Sequence, residues 1–269
     1  MTLYANTPKT LTISDIAAMK QAGEKISCLT AYDASFSALL DQAGIDVILV
    51  GDSLGMVIQG HHTTLPVTVD DMVYHSRSVA AARKRAFLIT DLPFASYATP
   101  EQALANAARL MQGGAAQMVK LEGVKIDVIG FLVEQGIPVC GHLGLLPQSV
   151  NRIGGYKVQG RDALQAQNMI EDALKIQQAG AGLLILECVP APLAAEITGR
   201  LDIPVIGIGA GINCDGQVLV LYDMLDISVG NRPRFSKNFM AGAVGIADAV
   251  HRYHQQVKSA QFPGPEHSY

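Results

Sequence analysis

Polar and charged side chains follow short apolar runs at six places in this sequence. They are Tyr32 and Asp33, Asp52 and Ser53, Asp91, Lys120 and Glu122, His142, and Glu187. Carboxylates bind hard cations and accept protons, while lysine and histidine bind anions or transfer protons. If the apolar runs are parallel strands of one barrel, their carboxyl ends meet at one mouth. These side chains would then form a single site.

Each of the aspartates also has an ordinary structural explanation. Asp33, Asp52 and Asp91 could each cap the helix or turn that follows a strand. Lys120 and Glu122 are two residues apart, so on a strand both side chains point to the same face. They could form an ion pair that lines a barrel. Three aspartates together with this pair nevertheless favour a functional site.

Glu187 and the histidines differ in how strongly they indicate a function. Glu187 follows the run LLIL at 183–186, and a carboxylate at the end of so apolar a strand favours a functional role. His142, in the segment CGHLG at 140–144, could be a functional group or a hydrogen-bonded core residue. His61 and His62 are adjacent, and we interpret them as a loop pair.

Repulsion between the carboxylates indicates a bound cation. Two carboxylates about 4 Å apart repel by roughly 4 kcal/mol at an effective dielectric constant of about 20. Asp52, Asp91 and Glu122 at one mouth therefore need more positive charge than Lys120 supplies. Carboxylates without a matching cysteine or multi-histidine set favour a hard ion such as Mg2+, which keeps water or substrate oxygens among its ligands.

A short motif recurs where helices are expected to end and strands to begin. Gln or Glu, then any residue, then Gly occupy 21–23, 42–44, 112–114, 134–136 and 178–180. Glycine after a helix adopts a positive φ without steric cost. Eight apolar runs predict strands at 26–31, 46–50, 86–90, 116–121, 137–141, 182–186, 203–208 and, less clearly, 217–221. Their continuous Val, Ile and Leu content suits parallel strands covered by helices.

These elements predict one α/β domain over 1–269, a (β/α)8 TIM barrel. Helices are expected at 68–85, 99–113, 162–180 and 192–201, with an extra N-terminal helix at 12–23 and a last helix at 235–258. Thr99, Pro100 and Gln102 form a helix start signal. The segment between strands seven and eight is too short for a full helix. The tail at 259–269 is expected to be loose.

The composition argues against several classes of partner. The 269 residues are 49% apolar and carry a net charge of −4, so they have no excess positive charge to attract nucleic acid or an anionic membrane. The four cysteines form no CxxC pair and are expected to be reduced core thiols. The N-terminus has no secretory pattern and no apolar run could span a bilayer. A cytoplasmic protein with a small-molecule substrate is expected.

Nine segments, which contain the site residues, resemble one family in order along nearly the whole chain. They are ISCLTAYD (26–33), VGDSLGM (50–56), TLPVTV (64–69), DLPF (91–94), VKLEG (119–123), GHLGL (141–145), GGYKVQGR (154–161), LECVP (186–190) and GIGAG (207–211). The family is that of ketopantoate hydroxymethyltransferase. The site also resembles that of barrels of the phosphoenolpyruvate/pyruvate type.

The resemblance implies an activity and a role for each site residue. The Mg2+ site would comprise Asp52, Asp91 and Glu122; the substrate 3-methyl-2-oxobutanoate would contact Asp52, Ser53, Asp91 and Lys120; Glu187 would accept the proton and His142 would orient or polarise the substrate. A Mg2+-stabilised enolate would receive the one-carbon unit of 5,10-methylenetetrahydrofolate, giving 2-dehydropantoate in pantothenate biosynthesis. Family members are cytoplasmic homo-oligomers, often decamers, so a homo-oligomer is expected.

Three alternatives remain at this point. The chain could be a metal-dependent aldolase or lyase that acts on another pyruvate-like 2-oxo acid without folate. It could be a Schiff-base aldolase that uses Lys120, although flanking carboxylates favour the charged ammonium over the amine. It could also be a non-catalytic ligand-binding barrel. The glycine-rich segment at 154–161 could be a mobile cover, a folate-contacting loop or an ordinary surface loop.

Overall fold

Eight parallel strands form a closed barrel in chain order, which confirms the predicted (β/α)8 architecture. The computed structural model describes residues 10–228, 230 and 232–269. The strands are β1 Ile26–Thr30, β2 Val47–Val50, β3 Phe87–Asp91, β4 Met118–Glu122, β5 Val139–Gly144, β6 Leu183–Glu187, β7 Val205–Ile208 and β8 Gly216–Leu219. Each of the eight runs predicted from the sequence overlaps one strand. Each strand is nearly or fully buried, as expected for parallel strands under helices.

Helices cover the outside of the barrel and connect its strands. They are α1 Ile13–Gln21, α2 Ala34–Gln42, α3 Leu54–Val57, α4 Val69–Ala80, α5 Pro100–Gly114, α6 Ile126–Glu134, α7 Val150–Ile153, α8 Ala163–Gln178, α9 Ala191–Arg200, α10 Leu221–Met224 and α11 Ile246–Lys258. The extra N-terminal helix is α1. None of the described helices is long and apolar enough to cross a membrane.

Local sequence signals explain where the helices begin and end. The predicted start of α5 is confirmed, because the Thr99 side chain accepts a hydrogen bond from the Gln102 N–H. Four predicted glycine stops have φ between 69° and 97°, namely Gly23, Gly44, Gly136 and Gly180. The fifth stop differs: α5 continues through Gly114, where a Cβ would lie 2.8 Å from Ser76 Cβ. Glycine at 114 therefore allows α5 to pack closely on α4.

The predicted helix at 235–258 is wrong over its first half, because α11 begins only at Ile246. Gly242 has a φ of 74° and Gly245 is extended, and both conformations prevent a continuous helix. The structure also differs from the expectation of a loose tail. Phe262 is buried against Phe239 and Tyr253, and the Tyr269 carbonyl accepts a hydrogen bond from the Ala191 N–H. The tail therefore packs on the barrel.

A buried carboxylate joins the last helix to the amino-terminal end of the barrel. Asp46, just before β2, has a fully buried side chain. Its Oδ1 lies 2.8 Å from Arg85, and its Oδ2 lies 2.6 Å from Lys258 Nζ and 3.0 Å from the Ser27 N–H nitrogen. Lys258 is the last residue of α11. This cluster lies at the end of the strands opposite to the predicted site.

Candidate active site

The predicted site residues come together at the carboxyl ends of β2 to β6. Strand pairing places Asp91 beside Lys120, Glu122 beside His142, and Gly144 beside Glu187. One cavity of about 970 Å³ is lined by all seven residues to which the family resemblance assigns a role, Asp52, Ser53, Asp91, Lys120, Glu122, His142 and Glu187. Tyr32 is not among its lining residues. Asp33 does not line this cavity. Its side chain accepts a hydrogen bond from the Phe36 N–H and caps α2, which is the ordinary role considered for it.

Lys120 and Asp91 form a buried ion pair inside the mouth. Lys120 Nζ lies 2.8 Å from Asp91 Oδ1, and both side chains are at most 5% exposed. Burial by itself disfavours the ammonium, but the carboxylates of Asp91, Glu122 and Asp52 raise the pKa of Lys120 above its ordinary value. The other oxygen of Asp91 accepts a hydrogen bond from the Asp52 N–H at 3.1 Å. Lys120 is therefore a fixed positive charge.

The remaining carboxylates lack enough positive charge around them. Burial, and secondarily the charge of Asp91, raises the pKa of Asp52 to about 7. Burial also raises the pKa of Glu122, although Lys120 opposes the shift. Desolvation is the main cause of both pKa shifts, and repulsion among carboxylates that share one ammonium adds to it. A divalent cation would supply the missing charge, so these residues fit the expected Mg2+.

The side chains do not form a ready cage for a metal ion. Within the described residues, no three His, Cys, Asp or Glu side chains are gathered as a complete ligand set. Mg2+ commonly takes only one or two protein carboxylates and fills its octahedron with water and substrate oxygens. Asp52, Asp91 and Glu122 therefore suit a cation whose ligand set is completed by a chelating substrate and water.

His142 lies between two carboxylates of the site. Its Nε2 is 3.3 Å from Glu187 Oε2, and its Nδ1 is 3.7 Å from Glu122 Oε1. Neither contact meets the geometry of an aligned hydrogen bond. Burial lowers the pKa of His142, although Glu187 opposes the shift. A neutral imidazole carries one N–H, so the ring can donate to only one of the two carboxylates at a time.

Ser53 is held in place by its neighbours on both sides. Its Oγ is 2.9 Å from the hydroxyl of Tyr32, which is buried. A Cβ at Gly51 would lie 2.8 Å from Ser53 Oγ and 3.6 Å from Asp91 Oδ2. A side chain at position 51 would therefore displace the Ser53 hydroxyl from its contact with Tyr32.

The sequence did not predict Gln148, which contacts two of the carboxylates directly, or Tyr97, which contacts Gln148 and the backbone N–H of Glu122. Gln148 Nε2 donates a hydrogen bond to Asp52 Oδ2 at 2.8 Å, and its backbone N–H donates to Glu122 Oε2 at 3.1 Å. The hydroxyl of Tyr97 lies 2.5 Å from Gln148 Oε1. Gln148 lies four residues after β5, and this position at a barrel mouth is the one signal that could have found it.

The outer part of the cavity is apolar with a cationic rim. The 154–161 segment contributes Tyr156, Lys157, Val158 and Arg161 to its lining. This segment reaches across the mouth, because the Gln159 N–H donates to the Cys188 carbonyl at 3.0 Å. Arg234 lies over the ring of Tyr269, 5.3 Å from its centre, and both also line the cavity. The segment covers part of the cavity, and its movement stays a prediction.

A closed (β/α)8 barrel with an ammonium, an imidazole and several buried carboxylates around one cavity at its carboxyl end has the arrangement typical of barrel enzymes. Residues 10–265 match the family model of ketopantoate hydroxymethyltransferase, and the chain belongs to this family. The family assignment made from the sequence motifs is confirmed.

Curated relatives are similar over almost the whole chain. The 3-methyl-2-oxobutanoate hydroxymethyltransferase of Nitrosococcus oceani is 59% identical over 96% of this chain and 99% of that protein. The protein of the same name from Methylococcus capsulatus is 59% identical over 96% of this chain and 97% of that protein. Such similarity over both full lengths shows that the chain is an enzyme of this family.

Solved structures share the fold at much lower identity. Phosphonopyruvate hydrolase in complex with oxalate and Mg++ has a TM-score of 0.60 at 11% identity, covering 78% of this chain and 81% of that chain. The 2,3-dimethylmalate lyase, a member of the PEP mutase/isocitrate lyase superfamily, has a TM-score of 0.55 at 15% identity, covering 74% and 72%. These similarities confirm the (β/α)8 barrel fold.

Proposed function

We propose that this enzyme transfers a hydroxymethyl group from 5,10-methylenetetrahydrofolate to 3-methyl-2-oxobutanoate and forms 2-dehydropantoate in pantothenate biosynthesis. One observation carries the proposal: Glu187, Lys120 and the carboxylates of Asp52, Asp91 and Glu122 line the same cavity in a chain of this family. The reaction requires a base, a counter-charge for the substrate carboxylate and stabilisation of charge on the keto oxygen. Each requirement has a matching residue.

Asp52, Asp91 and Glu122 would hold Mg2+, with Ser53 beside them for substrate binding. Bound Mg2+ would supply positive charge that stabilises the negative charge developing on the keto oxygen. Lys120 holds a fixed ammonium in the cavity, where it would attract the carboxylate of the 2-oxo acid. Its ion pair with Asp91, at 2.8 Å, keeps that charge in one position. These contacts would orient the substrate with C3 accessible to a base.

Glu187 would accept the proton from C3 of the substrate. Its side chain is 15% exposed, so it faces the cavity at the end of an otherwise buried strand. The electron pair left on C3 would then form the new bond to the methylene carbon of the donor as one of its two C–N bonds breaks. Water would replace the second C–N bond and supply the hydroxyl oxygen. Tetrahydrofolate would leave with a proton on each of the two nitrogens, one taken from C3 through Glu187 and one from the water. His142, 3.3 Å from Glu187, would orient the base and polarise the substrate. No covalent intermediate with Lys120 is needed.

The outer cavity fits a large co-substrate that is apolar in its middle and anionic at its end. Among the described residues, neither Lys157 nor Arg161 forms an ion pair, although both line the mouth. Arg234 adds a third cation there. An aromatic one-carbon donor with carboxylates at its far end would place its rings against the apolar wall and its charges at the rim. These features support 5,10-methylenetetrahydrofolate as the donor.

Two assays test the proposal and separate it from the alternatives. Purified protein with Mg2+ and 3-methyl-2-oxobutanoate should exchange the C3 proton for deuterium without folate, and should form 2-dehydropantoate only when the folate donor is added. A non-catalytic binding barrel would show no Mg2+-dependent exchange. An aldolase or lyase would cleave or form a carbon–carbon bond in another pyruvate-like acid without folate. Such product formation without the folate donor would refute the transferase. Cytoplasmic location and homo-oligomerisation stay predictions, the second checked by ultracentrifugation.

A further inference from the structure

Gln148 connects two of the cavity carboxylates and has no part in the chemistry described above. It lies in the short 3-10 turn Pro147–Ser149 after β5 and is 5% exposed. Asp52 follows β2 and Glu122 ends β4, so Gln148 joins two separate elements of the barrel. Its side chain makes three hydrogen bonds, and its backbone makes one to a site carboxylate. The question is whether this arrangement fills space or orients the carboxylates.

The network fixes which end of the Gln148 amide faces Asp52. The Tyr97 oxygen accepts a hydrogen bond from the Glu122 N–H at 3.3 Å, so its single proton is free to point to Gln148 Oε1 at 2.5 Å. Oε1 is then the acceptor end of the amide. Nε2 must point to Asp52 Oδ2 at 2.8 Å and to the Leu92 carbonyl at 3.0 Å. Both groups are acceptors, so the assignment is consistent throughout.

The polarity of this network favours ionised carboxylates in one orientation. An amide nitrogen only donates, so it stabilises Asp52 with a lone pair on Oδ2 and opposes a proton on that oxygen. The Gln148 backbone N–H acts in the same way on Glu122 Oε2, at 3.1 Å. Each carboxylate has one oxygen occupied by Gln148, and its other oxygen accepts no hydrogen bond from the described residues. A residue that merely filled space would need no such donors.

We propose that Gln148 and Tyr97 are positioning residues that orient Asp52 and Glu122 for a divalent cation. The proposal rests on the proposed function for the identity of the cation site. Tyr97 acts through Gln148, because its proton holds the amide with Nε2 toward Asp52. Neither residue needs to contact the substrate or the cation. Partners of metal-ligating side chains commonly change metal affinity or activity by about 10–100-fold when they are removed.

Binding of Mn2+ alone to the full chain tests the proposal without relying on turnover. Free Mn2+ is followed by electron paramagnetic resonance, and Mg2+ affinity is obtained by competition. Gln148→Met keeps the length of the side chain but removes both the oxygen and the nitrogen of its amide. It should weaken Mn2+ binding by about 10–100-fold. Tyr97→Phe keeps the Gln148 amide but allows it to rotate by about 180°, so that its oxygen and nitrogen can exchange positions. It should weaken Mn2+ binding by about tenfold, at the low end of the same range.

A matched control separates positioning from stability. Tyr253→Phe also removes a buried hydroxyl, whose single proton is shared between the carbonyls of Cys28 and Gln217, each 2.8 Å away and outside the cavity lining. It should lower the unfolding temperature without changing the Kd of Mn2+. In Tyr97→Phe, saturating Mg2+ should restore kcat to within about threefold of the parent value. The Mg2+ concentration that gives half of the maximal rate should rise by about tenfold, in parallel with the Kd of Mn2+.

Unchanged Mn2+ affinity in both Gln148→Met and Tyr97→Phe, with only the unfolding temperature lowered, would overturn the positioning role. A parent protein that binds no Mn2+ would overturn this inference together with the cation site. A parent that binds Mn2+ but makes no 2-dehydropantoate would refute the proposed function alone, and weaker Mn2+ binding by the two variants would still support the positioning role. The two failures are therefore distinguishable.

Discussion

The carboxylate of Glu187 lies 3.3 Å from Nε2 of His142, across the neighbouring strands β5 and β6. The other ring nitrogen of His142 faces Glu122 at 3.7 Å. Burial lowers the pKa of His142, so the ring is neutral near pH 7 and carries one N–H. If Nε2 carries the proton, the ring donates toward Glu187 and presents a lone pair to Glu122. If Nδ1 carries the proton, the ring donates toward Glu122 and presents a lone pair to Glu187. The histidine thus lies between the expected base and a carboxylate of the expected cation site.

Glu187→Gln should abolish most of the turnover while binding survives. Glutamine keeps the volume and most of the hydrogen-bonding reach of the side chain but cannot accept the C3 proton. Because general-base catalysis typically contributes about 10²–10⁴ in rate, kcat should fall by that factor. The affinities for Mg2+ and 3-methyl-2-oxobutanoate should change by less than about tenfold, because proton transfer to Glu187 contributes mainly in the transition state and little to binding. Steady-state kinetics and isothermal titration measure both.

Deuterium exchange at C3 gives the sharper measurement for this variant, because it isolates proton removal from the later carbon–carbon bond. Near-normal exchange by Glu187→Gln would mean that the base lies elsewhere in the cavity. Water held by Glu122 or His142 would then be the next candidate, since these two side chains lie 3.7 Å apart.

Asp91→Asn should reduce both binding and turnover. The substitution removes the charge that pairs with Lys120 at 2.8 Å and one of the expected cation ligands. Mg2+ and the 2-oxo acid should therefore bind more weakly, and added Mg2+ should restore part of the lost activity. A kcat defect with unchanged Mg2+ affinity would exclude Asp91 as a cation ligand. Thermal unfolding serves as the control, because removing one partner of a buried pair can cost about 3–5 kcal/mol.

Lys120 should form no covalent adduct with the substrate. Neighbouring carboxylates raise its pKa, so the side chain stays an ammonium and is not a nucleophile at neutral pH. Borohydride added with 3-methyl-2-oxobutanoate should therefore leave the protein mass unchanged in mass spectrometry. A reduced adduct mapped to Lys120 would support a Schiff-base aldolase. A known Schiff-base aldolase treated in parallel confirms that trapping works.

The sequence was informative where one local rule determines position. Polar residues at the ends of apolar runs meet in a parallel barrel whatever the loops do, so Asp91, Lys120, Glu122 and His142 could be placed before the structure was known. The same rule included Asp33 wrongly, because an aspartate after a strand can equally well cap the next helix. Strand-end position alone does not distinguish the two roles.

Contacts between distant residues could not be predicted from patterns. Gln148 meets residues 51 and 96 positions away in the chain, and no local spacing encodes such pairs. The error at 235–258 has a different cause, since apolar spacing suggested a helix where Gly242 adopts a left-handed conformation. The tail was expected to be loose because its prolines and glycine give no pattern, yet Phe262 finds a buried aromatic site.

Stability should depend on Asp46 in a pH-dependent way, independently of the active site. Burial opposes its ionisation, but Lys258, Arg85 and the Ser27 N–H hold the pKa of Asp46 below its ordinary value. The native carboxylate thus binds protons less readily than the unfolded one. Its contribution is complete above the unfolded pKa of about 3.9 and is lost as the pH falls through the lower native value.

Asp46→Asn should therefore lower the free energy of unfolding by about 2–3 kcal/mol near neutral pH, since it weakens charge-assisted hydrogen bonds to Lys258 and Arg85. Urea unfolding at several pH values measures the difference from the parent, which should stay constant from about pH 5 to 7 and shrink below about pH 4.

His254 contacts Ser27 and has a pKa lowered by burial, so the comparison is repeated with His254→Gln in both proteins. Glu196→Gln, which removes an exposed pair with Arg200 on α9, should change the free energy of unfolding by less than about 0.5 kcal/mol. A difference between Asp46→Asn and the parent that persisted undiminished at pH 3 would show that packing, and not the charge of Asp46, joins α11 to the barrel.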